Sequence, residues 1–222
     1  MASATTQRLN IDIKKLKDEQ LKLSKKVIVK DVPIEISKIG GCDQTYAKGK
    51  VICVITVLSY PDLKLVEKKY TIKDVEIPYM MGYLFYSEGP AIIETYNKLE
   101  NKPDLLMVDG SGILHPRRIG IASQLGLVLD TQTIGLTKNM LCGELRNDKV
   151  YINDEVRGQL VVTKPGGNPI FVSPGHKITL KKAVKLVKET VKLPYKMPEP
   201  LALAHKFANK LKKFQKGKEP SE

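Results

Sequence analysis

LLMVDGSGILHPRRIG, residues 105–120, is the stretch from which the rest of the chain is best read. Leu105 to Val108 form a short, unbroken apolar run that stops at Asp109 and a Gly-Ser-Gly turn. Runs of that length mark a strand covered on both faces, so helices must lie above and below it. On its N-terminal side, Ile36 to Tyr46 and VICVITVLSY (51–60) read as two long strands rich in β-branched residues. Ala47-Lys48-Gly49-Lys50 supplies the turn between them. Leu63 to Tyr70 is a weaker, more polar strand suited to a sheet edge. IPYMMGYLFYSEGP (77–90), with two prolines and two glycines, reads as an irregular loop. A helix is expected to follow Ser87 and run to about Leu99, with Glu88 in its first turn beside a tolerated Pro90.

On the C-terminal side, a helix over 117–125 and an apolar strand around Leu127 to Leu129 are expected. Two further strands fit Leu160 to Thr163 and Ile170 to Ser173. After Thr179, Leu180, Ala183, Val184, Val187 and Val191 mark one helical face. Pro198 and Pro200 open a last helix through about Lys213. Residues 9–25 read as a first helix with a stripe of Ile13, Leu16, Leu21 and Leu23. Three strands in meander order, then helices alternating with buried strands, describe an α/β protein with a mixed central sheet flanked by helices, a pattern compatible with the ribonuclease-H-like fold. The expected organisation is a flexible N-terminus (1–7), one domain (8–213) and a flexible tail (214–222).

Bulk properties narrow the function. With 222 residues, 27% charged and 42% hydrophobic, the chain has the makeup of a soluble globular protein. No apolar run is long enough to span a bilayer, and the first ten residues lack a signal-peptide core. The three cysteines, Cys42, Cys53 and Cys142, are widely spaced and form no CxxC pair, so neither a disulfide framework nor a zinc site is indicated. A cytoplasmic location follows as the expectation. The net charge of +13 favours polyanions, with much of it in Lys14 to Lys30 and Lys206 to Lys218. A lysine-rich surface kept for solubility has the same signature.

Three carboxylates stand out by position. Asp43 lies in the first long strand, Glu88 opens a helix after a glycine-bearing loop, and Asp109 ends the buried run. An acid on a central strand is costly unless compensated, and a bound cation compensates it. Magnesium takes hard oxygen ligands, so two or three carboxylates plus a substrate phosphate suit it. Each acid also has a plain structural reading: Asp43 as a strand end, Glu88 as a first-turn acid favoured by the helix dipole, Asp109 as the fixer of a turn. His205 borders the apolar stripe of Leu201, Ala204, Ala208 and Leu211 in the last helix, where packing and function compete. His115 and His176 fall in glycine- and proline-rich segments, where function is favoured. Arg117 and Arg118 follow His115 and suit phosphate contacts.

These motifs resemble the endonuclease V family. VDGSGILHPRRIGIASQLG (108–126) is similar to its signature, and PYMMGYLFYSEGP (78–90) to its wedge and glutamate motif. IGGCDQTY (39–46) is similar to its first-aspartate motif, IFVSPGHKITLKKAV (170–184) to its SxGH segment, and PEPLALAHKFAN (198–209) to its closing helix. The matches are collinear over roughly residues 35–210. The resemblance implies a ribonuclease-H-like fold, Mg²⁺ with Mn²⁺ as substitute, and phosphodiester hydrolysis one nucleotide 3′ of inosine. It carries the metal-binding carboxylates onto Asp43, Glu88 and Asp109, the catalytic histidine onto His205, and the lysine near the scissile phosphate onto Lys138. Tyr79 falls on the wedge and His115 on the lesion side; Gly82, Leu84, Gly110, Arg117, Gly120 and Ile121 complete the expected substrate-binding set. Glycines 82, 110, 112 and 120 are expected to admit a base edge closely. The implied partner is inosine-containing nucleic acid, DNA before RNA, with no membrane partner and a monomeric enzyme. The sequence departs from the family at PYMM, which lacks a closing proline, at IGLTKN (134–139), and at Gln124, where a histidine is common. Competing readings are another ribonuclease-H-like nuclease, a non-catalytic nucleic-acid-binding protein on that fold, and a basic membrane-binding protein.

Overall fold

The computed structural model describes residues 11–217. The expected flexible segment 1–7 and the end of the expected tail therefore lie outside the described residues. Nine strands form one mixed sheet in the order β3-β2-β1-β4-β5-β9-β8-β7-β6. β1 (Lys38–Ala47), β2 (Lys50–Ser59) and β3 (Leu65–Asp74) make the expected antiparallel meander, with β3 at the edge. β4 (Leu105–Asp109) inserts parallel to β1, and β5 (Gln132–Thr137) lies parallel on its other side. β9 (Ile170–His176) and β8 (Glu155–Val161) extend the sheet antiparallel, ending in the small strands β7 (Lys149–Ile152) and β6 (Glu144–Arg146).

Strand alternation divides the core into two layers. Ile39, Leu105, Met107, Ile134 and Leu136 point to the side covered by α4 (Leu180–Glu189) and the N-terminal part of α5 (Glu199–Gln215). Cys42, Leu106 and Val108 point to the other side, against α2 (Leu84–Asn97) and α3 (Ile121–Val128). Thr179 caps α4 by accepting from the Lys182 amide at 3.2 Å, as Asp12 caps α1 (Ile13–Ser24) through Lys15 at 3.0 Å.

Several sequence expectations need correction. α2 begins at Leu84 rather than after Ser87, because Leu84 and Phe85 already pack onto the second core layer. Glu88 thus sits in the second turn, fully buried, and Pro90 lies inside the helix on its exposed side. Residues 117–120 are not helical, and α3 starts only after Gly120. Leu127 is not strand: with Val128 it finishes α3, and the buried strand is Gln132–Thr137. Its polar start disguised it, yet Gln132 and Thr133 are wholly buried and Thr133 Oγ1 donates to the Ala122 carbonyl at 2.8 Å. The β6–β7 hairpin went unread because its strands are only three and four residues long and mostly polar. The expected apolar stripe of α1 holds only in part: Leu16 and Leu23 are half-buried, Leu23 against Val27, Ile113 and Ile119, whereas Ile13 and Leu21 are exposed and the buried residue of that helix is Gln20.

Candidate active site

Register places the two aspartates side by side. Cys42 pairs with Val108 across the parallel β1–β4 ladder, so Asp43 and Asp109 are the next residues along adjacent strands. Asp109 in turn pairs with Leu136, which leaves Lys138 just beyond the tip of β5. Alternation turns Asp43 and Asp109 toward the α5 side of the sheet. Gly41, one pleat before Asp43, lets that helix come close. A Cβ there would sit 2.2 Å from the Pro200 backbone. The close approach brings His205 Nδ1 to 3.0 Å from Asp43 Oδ2. The Asn209 amide nitrogen donates to Nε2 at 2.9 Å, so Nδ1 carries the proton and donates to Asp43. Asp43, Asp109, Lys138 and His205 all line one groove of about 560 Å³.

Glu88 reaches the same region from the opposite side of the sheet and is not part of the groove wall. Its Oε1 accepts from the Tyr46 hydroxyl at 2.7 Å, while Oε2 is buried without a partner. Burial, offset in part by Tyr46 and reinforced by Asp109, pushes the Glu88 carboxyl up to about 7. Burial and the neighbouring Asp109 push Asp43 up to about 8, against the pull of Lys138. Burial and Lys138 press His205 below the ordinary imidazole range, which favours the neutral ring that donates from Nδ1 to Asp43. Among the described residues no three His, Cys, Asp or Glu side chains form a closed metal cage. The donor chemistry nonetheless fits a hard divalent cation: buried carboxyls that repel one another, one with an unpartnered oxygen, are stabilised as anions when a cation is present.

A second cavity of about 310 Å³ is lined by Tyr79, Gly82, Leu84, Gly110, His115, Gly120 and Ile121, all expected substrate-side residues. Tyr79 and Met81 are exposed on the loop before α2 and free to touch a ligand. His115 is buried and held to about 4, first by desolvation and then by Arg117. Its Nδ1 accepts from the Arg117 amide at 3.2 Å, so Nε2 donates to the Gly82 carbonyl at 3.0 Å. That carbonyl also accepts from Gln20 Nε2 at 3.1 Å and Arg117 Nη2 at 2.6 Å, and Gly82 itself has φ +78°.

Four further expectations change. Arg117 is absent from the cavity wall. It stacks 4.2 Å from the Tyr83 ring centre and donates to Gln20 Oε1, so it braces the loop. Arg118 is taken by Glu155 at 2.8 Å. His176 is buried at the end of β9, where Nδ1 accepts the Ile28 amide at 3.2 Å, a structural role. Gly112 serves internal packing, since a Cβ there would lie 2.0 Å from the Pro174 carbonyl oxygen. Sequence reading missed Gln20, which looked like one polar residue on a lysine-rich helix. It also missed Asn209, whose signal was its spacing of four from His205.

Acids on adjacent parallel strands of a mixed sheet, Asp43 midway along β1 and Asp109 at the end of β4, beside a lysine and a histidine, fit a metal-dependent phosphodiester nuclease as the class. The Endonuclease V family model matches residues 21–206. An endonuclease V from Dictyoglomus turgidum is 42% identical over 200 residues, covering 86% of this chain and 87% of its own. One from Dehalococcoides mccartyi is 37% identical, covering 91% of this chain and 100% of its own. Among solved structures, the Streptomyces avermitilis endonuclease V superposes with a TM-score of 0.85 at 25% identity, covering 92% of this chain and 94% of its own. A Ciona intestinalis endonuclease V in complex with inosine-containing DNA superposes with a TM-score of 0.82 at 29% identity, covering 93% and 99%. The chain belongs to the endonuclease V family, a family of metal-dependent nucleases with a ribonuclease-H-like fold.

Proposed function

We propose that this chain hydrolyses the phosphodiester one nucleotide 3′ of a deaminated purine, inosine above all, as a repair nuclease. The observation that supports this most directly is the adjacency of a cavity for a base to the acid pair: Gly110 and Thr137 line the cavity, Asp109 and Lys138 the groove. The complex of the Ciona relative with inosine-containing DNA supports the same substrate. Extruding a base costs a few kcal/mol and least for one that pairs poorly, as hypoxanthine does. Tyr79, exposed beside the cavity, fills the vacated stack, assisted by the flexible Met80 and Met81 where a stiffer wedge would carry proline.

Asp43, Asp109 and Glu88 would hold Mg²⁺, with Mn²⁺ as a substitute. When bound, such a cation supplies an activated water and charge neutralisation at the scissile phosphate. Lys138 offsets negative charge growing on the phosphate oxygens. His205, oriented by Asp43 and Asn209, would accept the proton at Nε2, the ring nitrogen that carries none, as water adds to phosphorus. The P–O3′ bond breaks, leaving a 3′ hydroxyl on one product and a 5′ phosphate on the other. Every group in this scheme comes from one chain, so a monomer suffices. The free thiols suit a reducing cytoplasm, and among the described residues no helix is long and apolar enough to cross a membrane. Cleavage assays on inosine-containing and plain oligonucleotides, as single-stranded DNA, duplex DNA and RNA, with Mg²⁺ and with chelator, test the reading. Mg²⁺-dependent cutting restricted to inosine strands is expected; indifference to inosine would refute it.

A further inference from the structure

Phosphodiester hydrolysis explains the floor of the larger groove but not its wall. Buried Asp43 and its neighbour Asp109 form the floor beside Lys138, whereas Tyr195, Met197 and Leu203 add apolar surface that no phosphate or cation requires. Tyr195 belongs to the connector between α4 and α5, and that connector is firmly anchored. A bridge joins Val191 to Pro198, and the Glu199 amide donates to the Thr190 carbonyl at 2.7 Å. Thr163 Oγ1 donates to the Lys196 carbonyl at 2.5 Å, and Lys192 Nζ to the Leu63 carbonyl at 3.1 Å. Between these anchors Tyr195 stays 60% exposed. Lys196 and Lys206 line the same groove, as does Glu199. An aromatic ring presented from an anchored loop, in a groove that also carries lysines and the acid pair, matches the chemistry that holds single-stranded nucleic acid: stacking plus backbone neutralisation.

We propose that Tyr195 is the stacking platform for the nucleobase immediately 3′ of the cut, the second nucleotide beyond the lesion, with Lys196 and Lys206 neutralising the phosphates of that departing strand. The position follows from the layout, and it rests on the cleavage reading above. The base cavity and the groove share no lining residue and meet at consecutive positions, Gly110 with Asp109 and Thr137 with Lys138. A strand whose lesion occupies the first cavity therefore crosses the acids and leaves along the wall that carries Tyr195. The subsite would retain the 5′-phosphate product strand after the bond is broken, and it is distinct from the wedge on the lesion side.

The test is binding by fluorescence anisotropy in chelator, so that no strand is cut, using inosine-containing single-stranded DNA. One oligonucleotide is intact and a second carries an abasic site at the second position 3′ of inosine. Tyr195→Ala should weaken binding of the intact strand by about 5-fold to 150-fold, the range typical for one base stacked on an aromatic ring. It should have little effect on the abasic strand, which the wild type already binds more weakly. Tyr195→Phe should bind both strands like the wild type, and melting temperatures of both variants should match it. 2-Aminopurine at the same position should lose fluorescence on binding wild type and keep it with Tyr195→Ala. Equal loss of affinity on both strands, or no loss on either, would overturn the subsite. Cleavage by the wild type in Mg²⁺, run in parallel, separates the two levels. Correct cutting 3′ of inosine without coupling to the abasic site removes only the platform, whereas no preference for inosine removes the cleavage reading with it.

Discussion

Asp43 and Asp109 show how a position can be costly for the fold and useful for chemistry. Asp43 is buried midway along β1, and burial together with Asp109, which ends β4 beside it, pushes it up to about 8. Asp109→Ala removes a hard anionic ligand and one source of repulsion. It should abolish Mg²⁺-dependent cleavage while leaving a protein that melts no lower than wild type. Residual turnover near the wild-type rate in a purified preparation would rule the ligand role out. His205 offers a sharper discrimination. Its side chain is 55% exposed, so little packing is lost on truncation. His205→Ala should lower the single-turnover rate by ~10²–10⁴-fold with nearly unchanged substrate affinity and melting temperature. Asn209→Ala, which removes only the group that orients the ring, should lower the rate by less. If the melting temperature of His205→Ala falls and the folded fraction keeps its activity, the histidine is structural. These residues were legible in the sequence because an acid after an apolar run is conspicuous. Asn209 and Gln20 were not, because a lone amide looks the same on a solvated face as in a buried network.

At the level of elements, the first helix is tied into the site by a polar contact rather than an apolar one. Gln20 joins the Gly82 carbonyl, Gln124 at 3.0 Å and Arg117 at 2.5 Å, bridging α1, the wedge loop and α3. Removing it leaves buried partners unsatisfied, a cost of about 1–3 kcal/mol, and frees the loop that carries Tyr79. Gln20→Ala should therefore raise KM for inosine duplex more than it lowers kcat, with a lower melting temperature. Equal binding of inosine and plain duplex by wild type and variant alike would contradict the link. A second polar anchor sits at the entry to β1. Asp104 accepts from the Ser37 and Lys38 amides and the Ser37 hydroxyl, each at 2.9 Å, and these bonds hold its carboxyl below the ordinary range. Because the folded-state value is depressed, the stabilisation is present above the unfolded value and is lost as pH falls through the folded one. Asp104→Asn should lower the melting temperature at neutral pH, and the gap to wild type should close in acid. A gap independent of pH would show that the carboxylate charge is not what anchors the strand.

Across the whole molecule, charge and topology work together. The net charge of +13 leaves α5 with exposed Lys206, Lys210 and Lys213 on turns that continue from the groove. Replacing all three by alanine should reduce the slope of log affinity against log salt by about 2, since each phosphate neutralised on a single strand contributes about 0.7. Binding titrations at several salt concentrations measure it directly, and an unchanged slope would place the phosphate contacts elsewhere. The β-branched runs of β1 and β2, the continuous apolar run of β4, the amphipathic pattern of α4 and the acid that closes β4 were all determined by the sequence itself, because periodicity and burial cost act locally along the chain. Only the tertiary structure decided the rest. It set Asp43 beside Asp109 through parallel register, brought Glu88 up from the other side of the sheet, and pressed His205 against Asp43 across Gly41. It also withdrew Arg117 from the substrate side by surrounding it with Gln20, Gly82 and Tyr83. The reason is physical: side-chain type states what a residue can bond to, but which partners arrive is fixed by strand pairing and helix packing between segments as far as 162 residues apart.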